Sequence, residues 1–272
     1  MKYLNLGCGS HYSKKPEWVN LDFTSSGPGV IEHNLLQGIP FSDNEFDLVY
    51  HSHVLEHFSK SDGSHFIQEC LRVLKPGGIL RIAVPDLEGI VRNYLKFLEE
   101  GSRHPEDSLV KANYDWMMLE MYDQTVRSKS GGDMLGYLSQ DRIANEDFLF
   151  QRIGEEGRSI RNGFLKAGKK MASADPKPSS GLKGKVKDYL LKRWDIDLRA
   201  HELGKFRLGG EIHQWMYDRY SLTRLLETKN AVNIQVRDAF SSSISDWASY
   251  QLDGRDSVVR KPDSLFIEAI KK

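Results

Sequence analysis

Four residues that could carry out chemistry lie close together in the stretch VYHSHVLEHF. The three histidines are His51, His53 and His57, and Glu56 directly precedes the last of them. Imidazole is the commonest metal ligand in proteins and also the side chain that most readily exchanges a proton near neutral pH. The run is therefore compatible with a metal site, with proton transfer, or with the edge of a ligand pocket.

The spacing of this run argues against a metal. In the metallohydrolase pattern His-x-His-x-Asp-His, the positions of the Asp and the last His are occupied here by Leu55 and Glu56. His53 and His57 could bind zinc across one helical turn, but the sequence shows no second cluster of ligands. We therefore expect no metal ion, and keep as an alternative a metal-dependent hydrolase that uses His51, His53 and His57.

A second set of candidate residues lies in YLNLGCGSHY and VNLDF. Gly7 and Gly9 follow the first predicted strand, where a missing side chain lets the backbone approach a ligand. Asp22 ends the next predicted strand, and a carboxylate there can accept both hydroxyls of a ribose. Only six residues separate Gly9 from Pro16, which leaves little room for the long helix and third glycine of a pyrophosphate-binding loop. The pattern indicates a nucleoside without a diphosphate.

A further polar cluster lies in GGEIHQWMYDRYSL. Gly209 and Gly210 predict a break in the chain, and His213 follows closely. We expect this junction to form one wall of a substrate site, with His213 in contact with the substrate. The structural alternative is that the residues pack the chain together and that Asp218 or Ser221 caps the following helix.

The elements that position these residues follow an α/β pattern. The runs KYLNL, WVNLDF, VIEHNL, FDLVYH and GILRIAV are short and apolar, as in a buried parallel sheet. Between the last two runs, apolar residues recur at helical spacing from Phe66 to Leu74, and Pro76 is expected to end that helix. A second helix is expected to open at Asp86. Together the elements indicate a doubly wound sheet.

The alternation breaks after residue 100 and resumes with SLTRLLETKN as a helix, followed by AVNIQVRDA and DSLFIEAIKK as strands. We expect an α/β core of residues 1–100 and 211–272, with a mainly helical insertion at 101–210. From Arg158 to Arg193 there are eleven lysines and arginines against two acids, in a chain of zero net charge. Within that stretch, LKGKVKDYLLKRW has an apolar helical face that could lie on an anionic membrane surface, although a solvated segment is the simpler alternative.

Composition excludes several classes of protein. The 272 residues contain two cysteines, too few for a disulfide framework, and the start MKYLNLGCG lacks the features of a secretory signal. No stretch approaches the roughly 18 consecutive apolar residues of a membrane span. No basic platform interleaved with aromatic residues suggests nucleic acid. We expect a reduced, cytoplasmic protein whose membrane contact, if any, is peripheral.

Four blocks carry a family resemblance: NLGCG, NLD, HNLLQGIPFSDNEFDLVYHSHVLEHF and LRVLKPGGILRIAVPDLEGI. In this order they resemble the class I S-adenosylmethionine-dependent methyltransferases, in particular predicted bacterial members of the type 11 group, over residues 2 to about 98. The resemblance implies a Rossmann-like, seven-stranded sheet with a reversed last strand, an enzyme, and S-adenosyl-L-methionine as cofactor.

The resemblance also implies roles for individual residues. The cofactor would be bound by Asn5, Gly7, Cys8, Gly9, Asp22, Asn34, Leu35, His51 and Ser52. Asn5 and Asn34 stand where relatives usually carry acids, which predicts weaker cofactor binding. The loop after the fourth strand would lie over the transferred methyl group, so the candidate catalytic residues are His53, His57 and His213.

Methyl transfer requires alignment of donor and acceptor and, for a hydroxyl acceptor, removal of a proton. We expect O-methylation of a small molecule or of a glycan or lipid-linked cell-surface precursor. The basic stretch points to an anionic acceptor. A second alternative is a non-catalytic module that binds a nucleoside without turnover.

Overall fold

The computed structural model describes residues 1–171 and 198–272. Seven of the described strands form one sheet in the order β3-β2-β1-β4-β5-β9-β6, and β7 and β8 form a separate hairpin. The strands are β1 (Tyr3–Leu6), β2 (Trp18–Asp22), β3 (Val30–Glu32), β4 (Phe46–Ser52), β5 (Leu74–Pro85), β6 (Ala231–Arg237), β7 (Gly254–Arg255), β8 (Val258–Val259) and β9 (Ser264–Lys271).

The described helices flank the sheet at its carboxyl edge and on its faces. They are α1 (Lys60–Val73), α2 (Leu87–Arg103), α3 (Ser108–Val126), α4 (Gly132–Leu138), α5 (Glu146–Met171), α6 (Leu198–Leu208) and α7 (Arg219–Thr228). Helix α5 is kinked at Gly154, where φ is 57°. Short 3-10 turns cover Leu35–Gln37, Leu55–His57 and Trp247–Tyr250. None of the described helices combines the length and apolar composition of a membrane span.

The strand directions confirm the predicted fold class. Strands β1 to β5 pair in parallel, while β9 runs antiparallel to both β5 and β6. The strand order reverses between β1 and β4, because β2 and β3 lie on one side and β5 on the other. In open α/β sheets, ligands bind beyond the carboxyl ends of the strands at this switch point.

Both faces of the sheet are covered by apolar residues. On one face, the core includes Leu4, Val49, Phe66, Ile67 and Leu222, so α1 and α7 pack there. On the other face, an aromatic cluster is formed by Tyr3, Trp18, Tyr50, Trp247 and Tyr250. Because side chains alternate along a strand, the two faces of β4 point into different clusters.

A buried ion network joins the centre of the sheet to the chain before β7. Arg81 on β5 is fully buried, and its guanidinium lies 2.8 Å from both Asp253 and Glu268. Its remaining N–H groups donate to the carbonyls of Asp238 and Ser241. Every charge of the network therefore has partners, as buried charges require.

Between α2 and α7, helices α3 to α5 pack on α2 around a separate apolar cluster. Its fully or nearly fully buried members are Ile90, Phe97, Trp116, Met117, Leu138 and Leu149. The carboxylate of Glu120 on α3 lies 2.7 Å from Arg152 on α5, which links the helices at their centre. The segment LKGKVKDYLLKRW lies outside the described residues, so its predicted membrane face stays a prediction.

Two predicted boundaries can be compared with the structure. Asp86 caps α2, since its Oδ1 accepts from the N–H of Glu88 at 3.1 Å, and this confirms the predicted start. The sequence predicts that α1 ends at Pro76, but the helix stops at Val73. Leu74 is already extended and pairs with Phe46, so β5 begins before the KPGG turn.

Candidate functional site

A cavity of about 480 Å³ opens at the carboxyl ends of β1 and β2. We call it the nucleoside cavity; among its lining residues are Gly7, Asp22, Asn34, Leu35, His53 and His57. Its size lies within the roughly 300–1,000 Å³ range of small-molecule sites. The structure thus brings together the glycine loop, the acid at the end of β2 and the histidine run, as the sequence predicts.

Two smaller cavities lie beside His53. The first, of about 260 Å³, is lined by Asn5, Gly7, Cys8, Gly9, Ser52 and His53, and we call it the glycine-loop cavity. The second, of about 190 Å³, lies among α3, α4 and α5; we call it the helical cavity, and its lining includes His53, Gln124, Arg127, Met134, Glu156 and Lys261. His53 lines all three cavities.

The glycine loop turns because two residues adopt left-handed backbone. Gly7 has φ of 62° and Gly9 has φ of 54°. A Cβ at Gly7 would collide with Val54, whereas a Cβ at Gly9 would meet no atom within 4 Å. The N–H of Gly9 donates to Asp22 Oδ2 at 2.6 Å, so the acid of β2 also holds the loop.

Several predicted cofactor residues have structural partners as well. Asn5 is buried and its Nδ2 donates to Asn20 Oδ1 at 3.2 Å. Asn34 caps the turn Leu35–Gln37, since its Oδ1 accepts from the Leu36 N–H at 3.0 Å. Burial, and then the charge of Asp22, raise the pKa of the Cys8 thiol to about 12, so Cys8 is not a nucleophile at neutral pH.

The structure places His51 elsewhere than predicted. Its side chain is fully buried on the α1 face of β4, with its ring 5.0 Å from that of Phe66, and it lines none of the three cavities. Burial lowers the pKa of His51 to about 4, so the imidazole is neutral. Strand parity explains the difference, since Tyr50 and Ser52 point to the opposite face.

His53 follows β4 in a left-handed conformation, with φ of 54°. Its N–H donates to the carbonyl of Ala83 at 2.9 Å. In the side chain, Nδ1 lies 3.2 Å from Glu56 Oε1 and Nε2 lies 2.8 Å from Ser264 Oγ. A carboxylate only accepts, so Nδ1 is the nitrogen that carries the proton and Nε2 accepts from the serine hydroxyl.

Glu56 stands among the histidines in the sequence, but sequence reasoning assigned it no role of its own. It is fully buried, and neither carboxylate oxygen has a hydrogen-bond partner in the structure. Burial alone would raise its pKa, but the surrounding histidines, His53 first, hold the pKa of Glu56 well below its usual range. The available signal was a single acid among the histidines of the run that includes the end of a predicted strand.

His213 comes close to the histidine run, although it lies far from it in sequence. Its ring centroid is 4.9 Å from that of His57, and its Nε2 is 4.0 Å from Glu56 Oε1. Burial lowers the pKa of His213 to about 3. The N–H groups of Gln214 and Trp215 donate to the carbonyl of Glu56, which fixes this segment on the loop after β4.

The structural alternative for the GGEIHQWMYDRYSL cluster is also confirmed in part. Asp218 and Ser221 form a reciprocal capping box at the start of α7. Tyr217 is buried in the main core, and Met216 packs on the helical cluster. His213 lines none of the three cavities, so its predicted contact with substrate stays a prediction.

The order of the sheet and the position of the cavity indicate a class of protein. A sheet ordered 3-2-1-4-5-9-6, with the last strand reversed and a nucleoside-sized cavity at the switch point, has the architecture of the class I methyltransferases. Residues 17–82 match a family model described as a methyltransferase domain. Residues 17–82 of the α/β core therefore resemble a class I S-adenosylmethionine-dependent methyltransferase domain, a group whose cofactor is S-adenosyl-L-methionine.

Two curated relatives share short segments with this chain. A probable S-adenosylmethionine-dependent methyltransferase of Mycolicibacterium smegmatis is 38% identical over 56 residues, 21% of each chain. The probable methyltransferase LtbC of Aspergillus luteorubrus is 45% identical over 58 residues, 20% of each chain. The chain therefore matches about a fifth of the length of these relatives.

Among solved structures, the chain is similar to an S-adenosylmethionine-dependent methyltransferase of Thermotoga maritima, described as a possible histamine N-methyltransferase. That alignment covers 100% of this chain and 82% of the other, with 11% identity and a TM-score of 0.40. A putative methyltransferase complexed with the Trm112 activator of Haloferax volcanii aligns over 33% of this chain and 47% of the other chain, with 23% identity and a TM-score of 0.28.

The residues present fit the cofactor. The loop has open space at Gly9, where a side chain would project, and the carboxylate of Asp22 lines the adjoining cavity. Asn34 and Leu35 line the same cavity. A ribose at Asp22 and an adenine beside Asn34 and Leu35 are both compatible with this arrangement.

Proposed function

We propose that this protein transfers a methyl group from S-adenosylmethionine to a hydroxyl of an acceptor held beside His53. One observation carries the proposal: His53 lines the nucleoside cavity, the glycine-loop cavity and the helical cavity together. The bound cofactor supplies an electrophilic methyl group on a sulfonium. The protein aligns the two reactants, which is the larger contribution to such a displacement.

In this proposal each cavity has its own task. Asp22 holds the ribose, and the glycine loop passes under the methionine part of the cofactor, with Ser52 beside it. The acceptor occupies the helical cavity. The acceptor hydroxyl displaces Ser264 Oγ from His53 Nε2, and Nε2 then takes the hydroxyl proton as the methyl group moves from the sulfonium to the acceptor oxygen.

The helical cavity suggests the kind of acceptor. Its two cations are already paired: Lys261 lies 2.8 Å from Glu156, and Arg127 lies 3.1 Å from both Asp123 and Glu211. The lining also has an apolar part, formed by Met134, Leu135, Leu138, Ile153 and Ile160, and the acids Glu156 and Asp263. At about 190 Å³ it suits one small group. We propose a neutral hydroxyl-bearing small molecule, or the end of a glycan or lipid-linked precursor, in place of the anionic acceptor that the basic stretch predicts.

The first experiment measures cofactor binding. Titration calorimetry with S-adenosylhomocysteine should show that Asp22→Asn weakens binding by about 1.5–3 kcal/mol, because hydrogen bonds to a charged acceptor are lost. Glu32→Gln is the matched control. Glu32 lies on β3 directly beside Asp22 of β2, but it is exposed and lies outside the cavity. Equal affinities of both variants and the wild type would remove Asp22 from the site.

The second experiment measures turnover. An acceptor screen that detects S-adenosylhomocysteine should identify substrates, and His53→Gln should lower kcat by about 10²–10⁴-fold on a hydroxyl acceptor. His104→Gln, at an exposed histidine, is the control. Cofactor binding without turnover on any acceptor would instead favour the non-catalytic module. The hydrolase alternative lacks support, since His51 is directed into the core.

A further inference from the structure

Glu56, His57 and His213 bring one carboxylate and two imidazoles together where the loop after β4 meets residues 211–217. One ligand atom from each lies within 4.8 Å of the other two, and this is the one such group among the side chains that the structure describes. We propose that these three residues bind one divalent transition-metal ion of the zinc type. The inference goes beyond methyl transfer and does not depend on it.

The carboxylate of Glu56 needs a cation. Glu56 is fully buried, and both of its oxygens lack a hydrogen-bond partner. His53 Nδ1 lies 3.2 Å from Oε1 and is the nearest side-chain nitrogen to it, so this contact offsets part of the charge of Glu56. Among the described residues, no lysine or arginine forms an ion pair with Glu56. A buried carboxylate in this state is costly, and a bound metal ion is one of the few ways to compensate it.

The tautomer of His57 indicates where the cation lies. Its Nδ1 is 3.3 Å from the carbonyl of Ile212, which can only accept, so Nδ1 carries the proton. In that tautomer Nε2, 4.0 Å from Glu56 Oε1, is the nitrogen with the free lone pair. Two electron-rich atoms facing one another repel unless a cation lies between them. The carbonyl of Ile212 is the kind of outer partner that orients a metal-binding histidine.

The distances suit a metal better than a direct contact. Nε2 of His57 and Nε2 of His213 are each 4.0 Å from Glu56 Oε1, too far for a hydrogen bond. A tetrahedral ion about 2.0–2.2 Å from each ligand would separate the ligand atoms by roughly 3.4 Å. Small side-chain rotations would close the remaining gap. Imidazole with carboxylate favours zinc over magnesium or calcium, and three protein ligands leave one position open.

The proposed ion has a defined mechanical effect. It would fasten His213 to the 3-10 turn Leu55–His57, beside the hydrogen bonds that already join Gln214 and Trp215 to the Glu56 carbonyl. That turn follows His53 closely, so the ion would fix the position of His53 between the cavities. The expectation of no metal rests on the spacing of the histidine run and on the lack of a second ligand cluster in the sequence. His213 joins Glu56 and His57 only in the folded chain.

Metal analysis tests the proposal directly. The full chain is treated with chelator, dialysed into metal-free buffer, and titrated with Zn²⁺ against a chromophoric competitor, with Co²⁺ absorption as a second readout. We expect one ion per chain. Glu56→Gln and His213→Ala should each weaken Zn²⁺ binding by at least about tenfold, whereas His104→Ala, at an exposed histidine, should bind as the wild type does.

Two outcomes overturn the proposal. One is Zn²⁺ binding well below one ion per chain in wild-type protein that remains folded by circular dichroism. The other is an imidazole nitrogen spectrum showing His57 doubly protonated in the presence of Zn²⁺, which would mean that a proton rather than a metal compensates Glu56. S-adenosylhomocysteine binding is measured on the same samples, so loss of metal and loss of the cofactor site are separable.

Discussion

At the scale of single residues, the glycine loop and the loop after β4 restrict one another. Gly7 and Gly9 both have left-handed backbone, but only Gly7 lies against Val54. Alanine at either position should lower the free energy of unfolding by about 1–2 kcal/mol, because a residue with a Cβ is strained in the left-handed conformation. Gly7→Ala must also displace Val54, which adds about 1–3 kcal/mol. The free energy of unfolding in urea should therefore fall further for Gly7→Ala than for Gly9→Ala.

A double variant checks the cause of that difference. Val54→Ala removes the methyl groups that a Cβ at Gly7 would meet. In the double variant with Gly7→Ala, the new Cβ no longer collides with Val54. The loss of unfolding free energy should therefore be smaller than the sum of the losses in the two single variants. Full additivity would show that Val54 is not the obstacle.

Single residues were predictable from sequence where their type carried the signal. Glycines after one strand and an acid at the end of the next are typical of a nucleoside site, and Gly7, Gly9 and Asp22 lie together as expected. His51 could not be placed, because both faces of a parallel sheet are apolar and sequence does not say which one faces a ligand. Glu56 gains its meaning from His213, which no local pattern connects to it.

At the scale of elements, one pair of residues on α1 clamps the loop that leads to β4. Arg72 donates to Glu69 at 2.8 Å and to the carbonyls of Ile39 and Phe41, while Glu69 accepts from the Ile39 N–H. The hydrogen bond from Arg72 is the main cause that holds the pKa of Glu69 below its usual range. The folded state therefore binds this proton less readily than the unfolded chain does.

This linkage predicts a pH dependence. Because the folded pKa of Glu69 is depressed, its contribution to stability is complete above the unfolded value of about 4.3 and is lost as pH falls through the folded value. Glu69→Gln should lower the free energy of unfolding by about 1–2 kcal/mol at pH 7, and the difference from wild type should shrink in acid. Urea titrations at several pH values measure this.

An exposed glutamate on α7 provides the control for that series. Glu227→Gln should leave both the stability and its pH dependence close to wild type, since Glu227 is exposed and forms no side-chain hydrogen bond or ion pair with the described residues. A Glu69→Gln difference that stays constant down to strong acid would mean that the clamp acts through packing and not through the charge of Glu69.

Element types were more predictable than element ends. Asp is a residue type that commonly caps helices, so the start of α2 at Asp86 could be predicted, and the structure confirms it. The predicted end of α1 was wrong. Pro76 can end a helix, but the helix ends earlier, because Leu74 pairs with Phe46 in the sheet. Pairing with a neighbouring strand is a tertiary contact, so it cannot be predicted from the local sequence alone.

At the scale of the whole molecule, the Arg81 network joins β5, β9 and the chain before β7 through one guanidinium. Removing that guanidinium would leave Asp253 and Glu268 as buried acids, both 4% exposed or less. We expect Arg81→Met to lower the free energy of unfolding by about 3–5 kcal/mol. Arg237→Met should cost far less, because Arg237 binds the same Glu268 from a partly exposed position. Urea denaturation compares the two, and similar losses would contradict a special role for Arg81.

The α3–α5 helices show what composition could not reveal at this scale. An insertion was predicted from the break in alternation, yet nothing in its sequence indicated that Arg127 and Glu156 line a cavity shared with His53. Those contacts depend on how separately encoded helices dock on the sheet edge. The positive charge of the basic stretch is evident from the sequence, but charge alone does not predict which partner or surface that stretch contacts.

The position of β9 in the sheet has a consequence for folding during synthesis. Strand β6 pairs with β9 in the described sheet, and β9 follows it in the chain while lying between β5 and β6. On the ribosome, β6 therefore emerges before its hydrogen-bonding neighbour exists, and β5 waits with one open edge through the synthesis of more than half the chain. Ser264, which contacts His53, is the first residue of that late strand. The nascent chain thus depends on protection of these edges until translation reaches β9.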